Sequence, residues 1–205
     1  MLSAYKHDYG QIISTEAEGV SVDRSFLAHI NIPAAKAVAA DADGILDGTA
    51  APSGEEDPLV VTEFLAQPTW PKNITVTLAA TTAGDVAAAS VVVAGKNFAG
   101  EAITEEFAFS ADTPATKTGN KAFAVVDNVT IPVQDGDSVT VDVGWGVKFG
   151  IPYKLYADEL VILKLFNKAA DAATIVNSAT AVESNTATMA GTPDGLKDID
   201  LYVIV

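Results

Sequence analysis

The chain contains no cysteine among its 205 residues, and this absence removes several classes of function at once. Disulfide scaffolds, thiolate metal sites and cysteine nucleophiles all require that side chain. Histidine is also scarce, because His7 and His29 are the only two, and no G-x-S-x-G motif is present. We therefore interpret both histidines as packing or surface residues rather than as members of a Ser–His–acid site.

Basic side chains are few as well. Twelve lysines and arginines face 27 acidic residues, which gives a formal net charge of −15, and Arg24 is the only arginine. Proteins that bind nucleic acid do so largely through Lys and Arg that neutralise phosphates. We therefore expect no nucleic-acid partner, whereas a strongly acidic surface keeps copies of the chain soluble and mutually repelling.

Long apolar runs are missing too. The densest apolar run, "ELVILKLF" at residues 159–166, is interrupted by Lys164 and is far too short to span a bilayer. The first ten residues, "MLSAYKHDYG", lack the basic region followed by an apolar core that marks a secretory signal. We expect no membrane partner and synthesis in the cytoplasm.

What the sequence does contain is a series of short β-prone runs from Val60 onward. Residues 74–78 and 139–143 alternate apolar and polar side chains, which is the period of half-buried strands. Turn signals such as "DGD" at 135–137 separate the runs, and no long amphipathic helix lies between them. Only the alanine-rich residues 33–45 could form a short helix. We predict an all-β fold, an antiparallel β-sandwich or barrel-like domain.

The boundary between two parts of the chain is set at residue 32. We assign residues 33–205 to a single β-rich domain and residues 1–32 to an extended N-terminal arm without a helix or strand period. The arm holds several large apolar side chains, and each one left in water forfeits about 1.5–3 kcal/mol. We therefore expect the arm to pack on its own domain, on a sister subunit or on another protein.

The segment "GWGVKFGIPYKL" at residues 144–155 raises the question of a nucleotide site. A dinucleotide loop needs a strand, a glycine turn and then a helix. Pro152 discourages a helix, the glycine spacing does not fit, and no GK[ST] is present. We interpret the segment as a glycine-kinked strand end in which Trp145, Phe149 and Tyr153 either pack on the sheet or anchor a neighbouring protein.

Acidic motifs carry no recognisable chemistry either. "DADG" at 41–44 and "DGD" at 135–137 resemble fragments of calcium loops, but both lack the remaining oxygen ligands and fit turn aspartates. Glu105 and Glu106 are adjacent, so in a strand they point to opposite faces. We expect no metal, no cofactor and no enzymatic activity.

The order of several segments resembles a known family. The segments are "QPTWPKNITVTL", "AGDVAAASVVVAGKNFAGEAITEEF", "GNKAFAVVDNVTIP", "GWGVKFGIPYKL" and "SATAVESNTATMAGTPDGLKDIDLYVIV". Together they span about residues 35–205 and resemble virion structural proteins of tailed bacteriophages and prophages, among them head decoration or cement proteins. The chain departs from the family pattern at residues 145–147, where a charged pair is more usual.

The resemblance implies a structural protein on the capsid exterior of a virion assembled in a bacterial host. Its partner would be the major capsid protein, and the local threefold positions of a capsid imply a homotrimer. The candidate interface residues are Tyr5, Tyr9, Phe26, Trp145, Phe149 and Tyr153. Two alternatives stay open: a tail, neck or fibre-base protein, and a virion-displayed carbohydrate-binding module, for which only Trp70 and Trp145 could supply a tryptophan platform.

Overall fold

The computed structural model describes residues 26–205 and the backbone of two short strands, β1 (Ile13–Ser14) and β2 (Ser21–Val22), which pair with each other. Two of the candidate interface residues, Tyr5 and Tyr9, lie outside the described residues. Within residues 26–205 the helical segments are four short 3₁₀ turns, and strands make up most of the regular structure.

Fourteen further strands follow in chain order. They are β3 (Leu27–Ile32), β4 (Asp41–Ala50), β5 (Leu59–Val61), β6 (Lys72–Ala80), β7 (Ser90–Lys96), β8 (Ala102–Ala108), β9 (Ala115–Phe123), β10 (Val125–Ile131), β11 (Val139–Gly150), β12 (Val161–Phe166), β13 (Ala169–Ala170), β14 (Thr174–Val176), β15 (Thr186–Thr188) and β16 (Ile199–Ile204). Every pair of these strands is antiparallel, which confirms the all-β, antiparallel prediction.

The strands form three larger sheets. The central sheet has the order β14-β15-β11-β6-β9, with β4 also paired to β11. The second sheet has the order β5-β10-β7-β8, and the terminal sheet, which contains the last strand of the chain, has the order β13-β12-β16-β3. Each sheet contains one pair of strands that follow each other in sequence, but the other neighbours, such as β11 with β6 and β16 with β3, are further apart, so long-range pairing dominates the fold.

The larger hydrophobic core lies between the central and second sheets. Alternate residues of β6 and β11 point into it, and so do alternate residues of β7 and β10, as period-two patterning requires. The fully buried members include Ile74, Val76, Val141, Val93 and Val129. Apolar faces of two sheets packed on each other give the sandwich-like architecture.

A second core lies under the terminal sheet. Ile32, Ile199 and Leu201 point from that sheet onto Phe149 and Ile151, which come from the end of β11 and the loop after it. All five side chains are fully buried. The terminal sheet therefore covers one end of the central sheet with its inner face, and its outer face points away from the core.

The glycines of β11 answer the nucleotide question, because residues 139–150 form one continuous strand. A side chain at Gly144 would overlap the backbone of Asp41 and Ala42, where β4 crosses close to β11. A side chain at Gly146 would meet the amide of Asn73. Each glycine thus lets atoms of a neighbouring strand lie close to the backbone of β11, and neither glycine belongs to a phosphate-binding loop.

Two segments differ from the sequence-based expectation. The alanine-rich residues 33–45 form only a 3₁₀ turn at Ala34–Lys36, because β4 begins at Asp41 and pairs with β11. Tertiary pairing thus overrides the helix propensity of alanine. Residues 27–32, assigned to the arm, form β3, which pairs with β16 along its whole length. The arm expectation therefore applies to residues 1–25.

The close approach of β4 to β11 yields a stability prediction. Gly144→Ala should destabilise the fold by at least about 2 kcal/mol, because the added methyl group overlaps backbone atoms that cannot move independently. Gly84→Ala is the matched control, since the nearest atom to its new methyl group would be 3.8 Å away. Urea denaturation measures both changes. Equal, small effects for the two variants would refute the packing described for Gly144.

Candidate attachment surface

The outer face of the terminal sheet is a surface that the strand register defines. Residues on its inner face, such as Ile30, Leu201 and Val203, are buried. The outer-face residues are Leu27, His29 and Asn31 on β3, Asp200, Tyr202 and Ile204 on β16, and Ile162, Leu163 and Leu165 on β12. Six of these nine side chains are apolar or aromatic.

The apolar side chains of this face lie next to one another across three strands. Tyr202 lies opposite His29 on one side and opposite Leu163 on the other. Leu27 is 59% exposed, Ile162 54% and Leu163 41%. Directly opposed residues have Cβ atoms about 4.5–5.5 Å apart, so these side chains form a continuous surface. Contiguous exposed apolar surface is typical of interaction sites.

A polar cluster borders the apolar surface at β3 and β16. Asp200 accepts hydrogen bonds from His29 Nε2 at 2.7 Å and from Asn31 Nδ2 at 2.8 Å, and the His29 ring stacks on Tyr202 with centroids 4.4 Å apart. Burial opposes the charge of Asp200, but the hydrogen bonds from Asn31 and His29 and the charges of His29 and Lys168 outweigh it and lower its pKa. The cluster ties β3 to β16.

Charge is distributed unevenly along the chain. Residues 40–150, which build the sandwich, contain 16 acidic and five basic side chains. Residues 151–205 contain seven acidic and four basic ones, and residues 26–39 contain Lys36 and no acidic residue. The terminal sheet therefore lies in the least acidic part of the described chain, and the surplus of negative charge belongs to the sandwich.

Two of the candidate interface residues lie in the interior. Trp145 is 8% exposed and donates from Nε1 to the Ala39 carbonyl at 3.1 Å, and Phe149 is fully buried in the second core. Both therefore pack on the sheet, as the alternative interpretation held, and a partner cannot reach them. Their burial follows from the inward-facing positions that both occupy on β11.

The other described candidates lie at the surface. Phe26 is 53% exposed, and its backbone pairs with Val205 beside β3 and β16. Tyr153 is 36% exposed in the loop after β11, and Tyr156, in the same loop, is 76% exposed. Sequence reasoning missed Tyr156 and the outer face of β12. The unbroken apolar run 160–163 was the signal, since a strand that is apolar on both faces often has both faces covered.

The tryptophans do not present an open aromatic platform. Trp145 is buried, and Trp70 is half-buried with its Nε1 donating to the Gly150 carbonyl at 3.0 Å. The Trp70 ring also meets Phe98 edge-on at 5.3 Å, and Lys36 lies 5.9 Å from its centroid. This packing weighs against the carbohydrate-binding alternative, which needs an exposed ring.

Lys72 is the most unusual ionisable group in the interior. Its side chain is fully buried, and Nζ donates to the carbonyls of Val38 at 2.6 Å and Ala39 at 3.3 Å. Nζ also lies 4.4 Å from the centroid of the Phe149 ring. Burial lowers the pKa of Lys72 to about 8, since no carboxylate is among these partners to offset the loss of hydration.

Residues 26–205 contain neither a metal-binding cluster nor a helix that could span a membrane. No group of three or more histidine, aspartate and glutamate side chains is arranged to hold a metal ion in that part of the chain. No helix there is long and apolar enough to cross a membrane. The shallow groove beside β4, lined by Asp47, Glu63, Phe64 and Leu65, is open and acidic.

Comparisons of the chain with protein-family models, curated proteins and solved structures gave no match.

The buried amine of Lys72 predicts a pH dependence of stability. In the unfolded chain Lys72 keeps its proton up to its ordinary pKa of 10.5, whereas in the fold it loses it near 8. The unfolded state therefore binds more protons between these values, and stability rises with pH across that window, by at most about 3 kcal/mol. The carbonyls and the ring, which favour the charged form, reduce this figure.

Lys72→Met removes the titrating group and keeps an unbranched side chain that is one heavy atom shorter. The free energy of unfolding of both proteins is measured by denaturation from pH 7 to 10.5. The difference between parent and variant should change only above pH 8, where the parent becomes more stable relative to the variant as pH rises. Other titrating groups cancel in this difference. Parallel curves for the two proteins across the whole range would contradict the assignment.

Proposed function

We propose that the chain is a structural virion protein of a tailed bacteriophage, which binds the outside of the capsid as a decoration protein and stabilises the head. The proposal depends on a contrast between two parts of the molecule. The outer face of the terminal sheet is mostly apolar and lies in the least acidic part of the described chain, whereas the sandwich is strongly acidic. One end of the molecule is suited to attachment, and the other is suited to solvent.

Attachment through the terminal sheet has an energetic basis. Full burial of a large apolar side chain contributes about 1.5–3 kcal/mol relative to leaving it in water. Leu27, Ile162 and Leu163 are each about half exposed, so covering them recovers part of this amount for every side chain. Each copy that binds with this face against the capsid lowers the free energy of the assembly. Because the capsid offers many identical positions, the sum of these contributions stabilises the shell.

The acidic sandwich suits a position outside the shell. Its surplus of acidic residues would repel the packaged nucleic acid, so it does not compete for binding inside the head. A β scaffold without thiols is also compatible with assembly in a reducing cytoplasm. The order of segments that resembles head decoration proteins supports the same role, with the major capsid protein as partner and a homotrimer at local threefold positions.

A tail, neck or fibre-base protein of the same virion is the second candidate. It shares the requirement for a rigid β scaffold and an apolar attachment face, so the same geometry supports it. The two candidates differ in how many positions the virion offers, since a decoration protein covers the whole head and a neck or tail-tip protein does not.

The outer face of β12 provides a direct test of attachment. Replacing Ile162 and Leu163 together by threonine keeps β-propensity and removes exposed apolar surface, so binding to undecorated capsids should fall at least about tenfold. Val60→Thr is the matched control, because Val60 is 56% exposed on β5 in the second sheet. Co-sedimentation with capsids measures both. Unchanged binding by the double variant would refute attachment through this face.

The N-terminal residues provide a second test. Deleting residues 1–25 keeps β3 and both cores, so thermal unfolding should remain cooperative, whereas capsid binding should weaken if the arm adds contacts to the capsid. Deleting residues 1–32 is the comparison, because it also removes β3 and uncovers the second core. Full capsid binding by the chain without residues 1–25 would show that the arm is no capsid contact.

A further inference from the structure

The outer edge of β3 is the feature that the proposed attachment leaves unused. β3 pairs with β16 on one side, and no strand within residues 26–205 pairs with its other side. Strand edges expose N–H and C=O groups that can pair with another strand. Natural edge strands are often blocked by proline or lysine, and residues 27–32, "LAHINI", contain neither.

The hydrogen-bond pattern identifies which groups are exposed at this edge. Phe26 N–H donates to the Val205 carbonyl at 2.9 Å, and Val205 N–H donates back to Phe26 at 2.8 Å. Bonded positions alternate along an antiparallel pair, so the even-numbered residues of β3 face β16. The N–H and C=O groups of Leu27, His29 and Asn31 therefore point to the open edge.

We propose that a second copy of this chain pairs with β3 in an antiparallel arrangement about a twofold axis at His29. In this register His29 lies opposite the partner's His29, and Leu27 lies opposite the partner's Asn31. Leu27, His29 and Asn31 of each chain then lie opposite residues of the other chain whose N–H and C=O groups point back at them. Each of the three opposed pairs forms two hydrogen bonds, which gives about six N–H···O bonds. The two terminal sheets join into one continuous sheet of eight strands.

The charge and surface of this region favour a second copy as the occupant. Two chains that each carry a net charge of −15 repel one another most where acidic residues are dense. Residues 26–39, which include the paired edge, contain one basic and no acidic residue, and the neighbouring Asp200 accepts hydrogen bonds from His29 and Asn31, so little repulsion arises here. Each His29 also keeps its hydrogen bond to its own Asp200.

The pairing also extends the apolar outer face. In one chain, Leu163, Tyr202 and His29 form a row that runs to the open edge of β3. Residues that lie opposite each other in a sheet point to the same face. The same row in the second chain therefore lies on the same face of the joined sheet and continues the row of the first chain. A dimer therefore presents the outer face twice on one rigid sheet. The inference concerns the isolated chain and stands apart from capsid attachment, for which the segment resemblance implies a homotrimer at local threefold positions.

The absence of cysteine allows a register-specific test. Opposed bonded residues have Cα atoms about 5.5 Å apart, which a disulfide can span. Purified His29→Cys protein should therefore form a covalent dimer on mild oxidation. Leu27→Cys is the control, since the two substituted positions would be about 13 Å apart along the strands. Mixing Leu27→Cys with Asn31→Cys should again give the disulfide, and circular dichroism of the reduced proteins checks folding.

The unmodified chain should have twice the monomer mass in analytical ultracentrifugation at tens of micromolar. A monomer or trimer mass overturns the proposal, as does equal cross-linking of His29→Cys and Leu27→Cys. Amide exchange identifies one other occupant: protection of residues 27, 29 and 31 in a monomer, lost when residues 1–25 are deleted, would mean that the chain's own N-terminal segment covers the edge. That result also overturns the proposal.

Discussion

The fold depends on β11, which among the strands of residues 26–205 is the one that contributes side chains to both hydrophobic cores. It pairs with β6 on one edge and with β4 and then β15 on the other. Its register with β6 shifts between Trp145 and Phe149, where it passes from the larger core to the second core. Asn73 stabilises the shift, because its Oδ1 accepts from Lys148 N–H at 2.9 Å and its Nδ2 donates to the Gly119 carbonyl. Gly146 leaves the space for that amide.

Local pattern predicted the parts of the fold in which alternation and burial agree. β6 and the first half of β11 alternate over enough residues to be recognised, and both supply the larger core. β4 was not recognised, because alanine, aspartate and glycine form a strand there only through pairing with β11. β3 is short, and its partner β16 lies at the opposite end of the chain, so nothing near it in sequence distinguishes a strand from an arm.

The candidate site was harder to predict than the fold, because it arises from register. Trp145 and Phe149 were chosen as aromatic residues beside glycines, but their positions on β11 turn them inward. Leu27, Leu163 and Tyr202 come from three strands, and only the pairing of β12, β16 and β3 brings them to one face. A contact between residues so far apart in sequence leaves no local signal beyond the apolar run at residues 160–163.

Charge and shape together connect this fold to its proposed role. The sandwich carries most of the acidic surplus, while the terminal sheet combines exposed leucine and isoleucine side chains with few charges. The most direct measurement of the central claim is the copy number of this chain relative to the major capsid protein in purified virions. A decoration protein bound to the head predicts a copy number comparable to that of the major capsid protein. Absence from virions, or presence at a small fraction of that number, would contradict the account.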